Sequence, residues 1–142
     1  MPVLSKESPI LLVDDSVMMR QVLQNILSGL GYTTIDTAPN AAAAHDKIRD
    51  AKKHGKDFRI LMLDWCMPGM DGLSFLKECR NDPTMADVAI IMVTSVSDQS
   101  SILSALENGA TAYITKPFVP ESVAEMIERV TEWSKEEEAQ NG

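Results

Sequence analysis

The sequence has few cysteines and few basic residues, and each shortage excludes some classes of binding site or partner. Its two cysteines, Cys66 and Cys79, form no CxxC pair, so we expect neither a zinc site nor a disulfide framework and predict two reduced thiols. Lysine and arginine number 13 against 21 aspartates and glutamates, and the net charge of −8 opposes binding to nucleic acid and to anionic lipid. Partners are therefore expected to be proteins or small ions.

Long apolar runs are also missing. No run approaches the roughly 20 residues that a membrane-spanning helix needs, and residues 1–7 lack the apolar core of a signal peptide. We therefore predict a cytoplasmic protein without membrane contact. A length of 142 residues suits a single domain.

Short apolar runs alternate with helical patterns along the chain. Four runs have no polar alternation, which is typical of strands covered on both faces of a parallel sheet. These runs are Ile10 to Val13, Ile60 to Leu63, Val88 to Val93 and Ala112 to Ile114. A fifth run, Tyr32 to Ile35, is richer in threonine and suits an edge strand.

A helical pattern follows each predicted strand. The helices are expected from Ser16 to Gly31, from Pro39 to His54-Gly55, from Leu73 to Asp82, from Asp98 to Gly109 and from Pro120 to Trp133. This alternation implies right-handed crossovers, hence an α/β fold with one doubly wound, five-stranded parallel sheet and five helices. We predict an N-terminal extension over residues 1–8, the domain over 9–134 and an acidic tail over 135–142.

Polar side chains stand directly after four of the predicted strands. They are Asp14-Asp15, Asp64, Thr94 and Lys116. The carboxyl ends of parallel strands meet at one edge of a sheet, where ligands bind, so these groups are expected to converge. Three close carboxylates raise one another's pKa unless a cation is present, and a hard dication such as Mg²⁺ fits oxygen ligands.

This set of groups is suited to phosphoryl transfer. A carboxylate can act as the nucleophile, while a metal ion, Thr94 and Lys116 meet the charge on the phosphoryl oxygens. The product would be an aspartyl phosphate.

Four segments carry a family resemblance. Val13-Asp14-Asp15, Leu63 to Gly72 (LDWCMPGMDG), Met92 to Ser95 (MVTS) and Tyr113 to Phe118 (YITKPF) together resemble the receiver domain of two-component response regulators. The match covers roughly Ile10 to Trp133 and is most similar to the stand-alone chemotaxis regulators. It implies a flavodoxin-like fold with strand order 2-1-3-4-5.

The resemblance also implies roles for individual residues. Asp64 would be the phosphorylated nucleophile. Magnesium would be held by the side chains of Asp14, Asp15 and Asp64 and by the backbone carbonyl of Cys66.

The remaining roles concern the binding of the phosphoryl group and the conformational switch that responds to it. Thr94 and Lys116 would bind the phosphoryl group, with the bond to Pro117 commonly cis in the family. Tyr113 would turn inward when Thr94 moves, so that the two form a switch.

The family further implies the partners. A histidine kinase or phosphotransfer protein would donate the phosphoryl group, and a target protein would bind the helix-strand-helix face near Asp98 to Trp133. The chain would be a signalling protein that catalyses its own phosphorylation and dephosphorylation, as a monomer or a weak phosphorylation-dependent dimer. Cys66 and Val96 depart from the asparagine and glutamate of the chemotaxis regulator, which leaves the lifetime of the phosphate open.

Other functions remain open at this point. A phosphorelay intermediate would share every feature above, and a receiver that never takes phosphate is also conceivable. A magnesium-dependent phosphohydrolase of the haloacid dehalogenase type would need a second aspartate where Cys66 stands. A flavodoxin-like cofactor module would need a phosphate loop where Asp14-Asp15-Ser16 would repel phosphate.

Overall fold

Five strands and five helices alternate in the computed structural model, which describes residues 2–141. The strands are β1 (Ile10–Val13), β2 (Ile35–Ala38), β3 (Ile60–Leu63), β4 (Ala89–Thr94) and β5 (Ala112–Thr115). The helices are α1 (Val17–Gly29), α2 (Ala41–Lys53), α3 (Gly72–Asn81), α4 (Gln99–Glu107) and α5 (Pro120–Asn141), with a 3-10 turn at Pro83–Met85. All strand pairs are parallel in the order β2-β1-β3-β4-β5, which confirms the predicted fold.

The central strands are buried on both faces of the sheet, as their unbroken apolar runs predicted. Alternate side chains enter two separate cores. Leu11 and Leu61 pack in the core beneath α2, α3 and α4, whereas Leu12 and Met62 pack in the core beneath α1 and α5. The helices on both faces therefore leave the carboxyl edge of the sheet free to form a site.

Polar caps set where four helices begin. In each case the side chain before the helix accepts a hydrogen bond from an N–H three residues later, which satisfies a donor that the helix leaves unpaired. The pairs are Ser16 with Met19, Asn40 with Ala43, Asp71 with Ser74 and Asp98 with Ser101. The predicted start of a helix after Asp98 is confirmed.

The predicted position of the second strand was wrong by three residues. Tyr32 belongs instead to the turn that follows α1, because its N–H donates to the Leu27 carbonyl at 3.1 Å and its side chain is buried. Pairing with β1 begins where Ile35 faces Ile10. The aromatic side chain anchors the turn and does not contribute to the strand.

The N-terminal segment packs against α5. Leu4 is buried, and its N–H donates to the buried Ser134 hydroxyl at 3.0 Å. Of the acidic tail predicted over 135–142, residues 135–141 continue α5, since glutamate and lysine are good helix formers, and residue 142 lies outside the described residues. The domain limits at residues 9 and 134 remain a prediction. Within residues 2–141, no helix is both long enough and apolar enough to cross a bilayer.

Candidate functional site

Three carboxylates converge at the carboxyl edge of the sheet. Asp14 and Asp64 directly follow β1 and β3, which are paired neighbours with Val13 opposite Leu63. Asp14, Asp15 and Asp64 each offer a carboxylate oxygen, and these oxygens all lie within 4.8 Å of one another. Asp14 is 2% and Asp64 7% exposed, so two of the three negative charges are largely removed from water.

Lys116 links the two buried carboxylates. Its Nζ donates to Asp14 Oδ2 at 2.8 Å and to Asp64 Oδ2 at 3.2 Å. Burial by itself lowers the pKa of this ammonium, but the hydrogen bond and charge of Asp14 and then those of Asp64 outweigh it, so the pKa is raised. The lysine therefore stays protonated, and one positive charge faces three carboxylates.

Backbone N–H groups hold the other oxygens of the same two carboxylates. Asp14 Oδ1 accepts from the Ser16 N–H at 2.9 Å, and Asp64 Oδ1 accepts from the Cys66 N–H at 3.3 Å. The bond between Lys116 and Pro117 is cis, as the resemblance implied. Each buried carboxylate thus accepts a hydrogen bond from a backbone N–H with one oxygen and from Lys116 with the other.

Thr94 and Tyr113 meet at the segment that follows β4. The fully buried Thr94 accepts a hydrogen bond from the Val96 N–H at 3.3 Å, and the Tyr113 hydroxyl donates to the Val96 carbonyl. Burial, followed by the charges of Asp98 and Asp64, raises the pKa of Tyr113 to about 12, so its hydroxyl remains a donor. Both members of the predicted switch therefore contact the same residue, and their movement stays a prediction.

The two cysteines are both free but differ in their surroundings. Cys66 is exposed beside the site, and the role predicted for its carbonyl as a metal ligand stays a prediction. Cys79 is buried in α3, and burial raises the pKa of its thiol to about 12. Cys79 is therefore an unreactive core residue.

Sequence reasoning missed the role of Arg20 at this site. Its Nη1 donates to the backbone carbonyl of Asp14 at 2.6 Å. One signal was available, because Arg20 is the only charged residue in the 13 residues of α1. The partner itself is a backbone atom, which no side-chain pattern identifies.

Gly72 was quoted only as part of a motif, and the structure shows why a side chain is excluded there. A Cβ at this position would lie 2.1 Å from the Asp64 carbonyl oxygen and 2.7 Å from the Trp65 Cα. Both obstacles are backbone atoms, which cannot rotate away. The start of α3 is thereby packed directly against the segment that carries Asp64.

Replacing Gly72 with alanine is expected to displace the backbone of Asp64 and to lower the free energy of unfolding by about 3 kcal/mol, as overpacking does. Urea unfolding monitored by circular dichroism measures the change. Gly29→Ala is the matched control, because a Cβ at Gly29 meets no atom within 4 Å. That helical substitution should stabilise the protein by about 0.5–1 kcal/mol. Equal stabilities for the two variants would contradict the close approach.

The donor set fits a magnesium ion. Asp14, Asp15 and Asp64 offer hard oxygen ligands, and Lys116 leaves two of their three negative charges uncompensated. Magnesium typically binds through one or two carboxylates and keeps several waters. The exposed Asp15 borders solvent, from which an ion could enter.

Solved structures share this fold over most of the chain. A CheY-like response regulator receiver domain protein from Methanospirillum hungatei matches with a TM-score of 0.80 at 27% identity, covering 92% of this chain and 98% of that one. CheY in a complex with CheX, BeF3 and Mg²⁺ from Borrelia burgdorferi matches with a TM-score of 0.77 at 28% identity, covering 87% and 88% of the two chains.

Curated relatives are more similar in sequence. Chemotaxis protein CheY1 of Helicobacter pylori is 38% identical over 121 residues, which is 85% of this chain and 94% of that protein. A chemotaxis protein CheY homolog of Campylobacter jejuni is 36% identical over 121 residues, covering 85% and 90%. The family model described as response regulator receiver domain matches residues 10–128, which contain all of the converging carboxylates and Lys116. With its strand order and its acidic site in agreement, the chain belongs to the response regulator receiver domain family.

Proposed function

We propose that this chain is a single-domain response regulator that accepts a phosphoryl group on Asp64 with the help of Mg²⁺. The observation that carries the proposal is the pair of buried carboxylates, Asp14 and Asp64, joined by Lys116 at the edge of the sheet. Such a cluster of like charges is costly to fold unless a cation offsets the repulsion, and such clusters occur preferentially at functional sites. Receiver domains bind Mg²⁺ through an acidic pocket of this kind.

The reaction follows from the groups present. A carboxylate oxygen of Asp64 attacks the phosphorus atom, the bond from phosphorus to the donor breaks, and the donor leaves with that electron pair. Bound magnesium would supply positive charge to the phosphoryl oxygens. Lys116, already within hydrogen-bonding distance of Asp64, can turn its ammonium toward the same oxygens, and Thr94 supplies a hydroxyl nearby on β4.

The donor is proposed to be a histidine kinase or phosphotransfer protein, and the pathway to be chemotaxis, in line with the relatives named above. A phosphorelay intermediate remains the alternative. The chain is proposed to act as a signalling protein that catalyses its own phosphorylation and dephosphorylation. The cytoplasmic location and the state as a monomer or weak dimer remain predictions.

The target protein is proposed to bind the face formed by α4, β5 and α5. Leu103 and Leu106 are 54% and 43% exposed on α4, although apolar side chains usually avoid water. Tyr113, which reaches the segment after Thr94, also lines a cavity of about 280 Å³ between β5 and α5. A change at Thr94 could therefore reach this face through Tyr113.

The test is a labelling experiment with acetyl phosphate as the donor. In magnesium chloride, the protein is expected to take up one phosphoryl group per chain, releasing one acetate, and to take up none in EDTA. Intact-mass spectrometry measures the stoichiometry. No uptake in magnesium would overturn the proposal, and sustained turnover of phosphomonoesters would favour the phosphohydrolase instead.

A further inference from the structure

Arg20 reaches from α1 back to the end of β1. Its Nη1 donates to the Asp14 carbonyl at 2.6 Å, and hydrogen bonds from a charged donor are about twice as strong as neutral ones. The side chain is half-buried, which reduces competition from water. The contact therefore ties the second turn of the helix to the peptide that joins Asp14 to Asp15.

The two aspartates differ in how they are held. The Asp14 N–H donates to the Ala38 carbonyl. One carboxylate oxygen of Asp14 accepts a hydrogen bond from the Ser16 N–H, and the other accepts one from Lys116 Nζ. The carboxylate of Asp15, by contrast, has no hydrogen-bond or ion-pair partner within residues 2–141. Its position depends on the backbone that carries it, and the peptide plane on its N-terminal side is the one that Arg20 holds.

We propose that Arg20 is a positioning residue for the metal site: by fixing the Asp14 carbonyl, it orients the peptide of Asp15 so that the Asp15 carboxylate faces the other two. This inference rests on the proposed function, because it assumes that the three carboxylates bind Mg²⁺. The loss of a group that orients a metal ligand without touching the metal typically weakens metal binding by about 10–100-fold.

A purely electrostatic role predicts the opposite result. A guanidinium near three carboxylates repels a dication, so removing its charge would tighten magnesium binding. A positioning role predicts weaker binding when the hydrogen bond is lost. The sign of the change in affinity therefore distinguishes the two roles.

The experiment measures binding of magnesium chloride by isothermal titration calorimetry in the wild-type protein, in Arg20→Met and in Arg20→Lys. Methionine keeps the apolar length of the side chain but removes the donors. We expect the dissociation constant to rise about tenfold in Arg20→Met, with a smaller rise in Arg20→Lys, which keeps one charged donor. Arg49→Met is the matched control, because that arginine is 66% exposed and lies on α2.

A second readout separates positioning from a general loss of stability. In acetyl phosphate labelling, the half-saturating magnesium concentration should rise in Arg20→Met, while the rate at saturating magnesium should stay close to that of the wild type. Urea unfolding in EDTA gives the stability without metal. A lower midpoint of unfolding with unchanged magnesium affinity would assign Arg20 a structural role and overturn the inference.

The remaining outcomes are also decisive. Unchanged or tighter magnesium binding in Arg20→Met overturns the inference and leaves the proposed function standing. A wild-type protein that binds no magnesium overturns the proposed function, and the inference falls with it. If Arg20→Met does not fold, Arg20→Ala takes its place, since it also removes the hydrogen bond and an unchanged dissociation constant in that variant would likewise contradict positioning.

Discussion

Asp64→Asn is expected to abolish phosphoryl uptake from acetyl phosphate while leaving the fold intact. An amide oxygen is too weak a nucleophile to attack phosphorus, yet it can still accept the hydrogen bond from the Cys66 N–H. The substitution also removes one of three converging negative charges, so the free energy of unfolding in EDTA should equal or exceed that of the wild type. Labelling by intact-mass spectrometry and urea unfolding measure the two effects.

Asp71→Asn provides the matched control for this loss. Asp71 caps α3 by accepting from the Ser74 N–H at 2.8 Å, and asparagine caps helices about as well as aspartate. Its labelling should therefore match that of the wild type. Persistent labelling of Asp64→Asn would show that another residue is the nucleophile and would remove the basis of the proposed function.

The fold was largely predictable because the apolar runs of the sequence are uninterrupted. Strands such as Ile60–Leu63 are covered on both faces, so every residue is apolar and the pattern identifies them directly. The edge strand β2 lacks this pattern, because Ile35–Ala38 includes Asp36 and Thr37 and has less apolar surface to bury. Tyr32, Thr33 and Thr34 are residue types common in strands, but Tyr32 is buried in the turn after α1, so the prediction began the strand too early.

The contact between the N-terminal segment and α5 was not predicted, for a related reason. A single buried leucine, Leu4, and a buried serine, Ser134, join residues 130 positions apart through one hydrogen bond. Leu4 stands in no periodic pattern, and Ser134 continues the buried face of α5 with a polar side chain, which does not by itself indicate packing. The sequence therefore did not predict this contact between the N-terminal segment and α5.

At the site, the side-chain partners were predictable and the backbone contacts were not. The convergence of Asp14, Asp64 and Lys116 follows from parallel topology, since each stands at the carboxyl end of a strand. The contact of Arg20 with a carbonyl and the close approach of Gly72 to the Asp64 backbone depend on where the main chain turns. Residue types do not predict such contacts, because the main-chain atoms involved are common to all residues.

Lys116→Met is expected to make the stability of the protein depend on magnesium. The substitution leaves Asp14 and Asp64, whose side chains are 4% and 8% exposed, without a cation. Removing one partner of a buried ion pair costs about 3–5 kcal/mol, so the midpoint of urea unfolding in EDTA should fall by a corresponding amount. Magnesium chloride should restore most of this loss, because a dication bound only to the folded state stabilises it.

The same variant should separate metal binding from phosphoryl transfer. Without the competing ammonium, magnesium should bind Lys116→Met more tightly than the wild type, whereas labelling should be strongly reduced because one group that meets the phosphoryl charge is gone. Lys53→Met is the control: that lysine is exposed on α2, and its loss should change stability by no more than about 0.5 kcal/mol. If Lys116→Met were as stable in EDTA as the wild type, the case that the buried carboxylates demand a cation would fail.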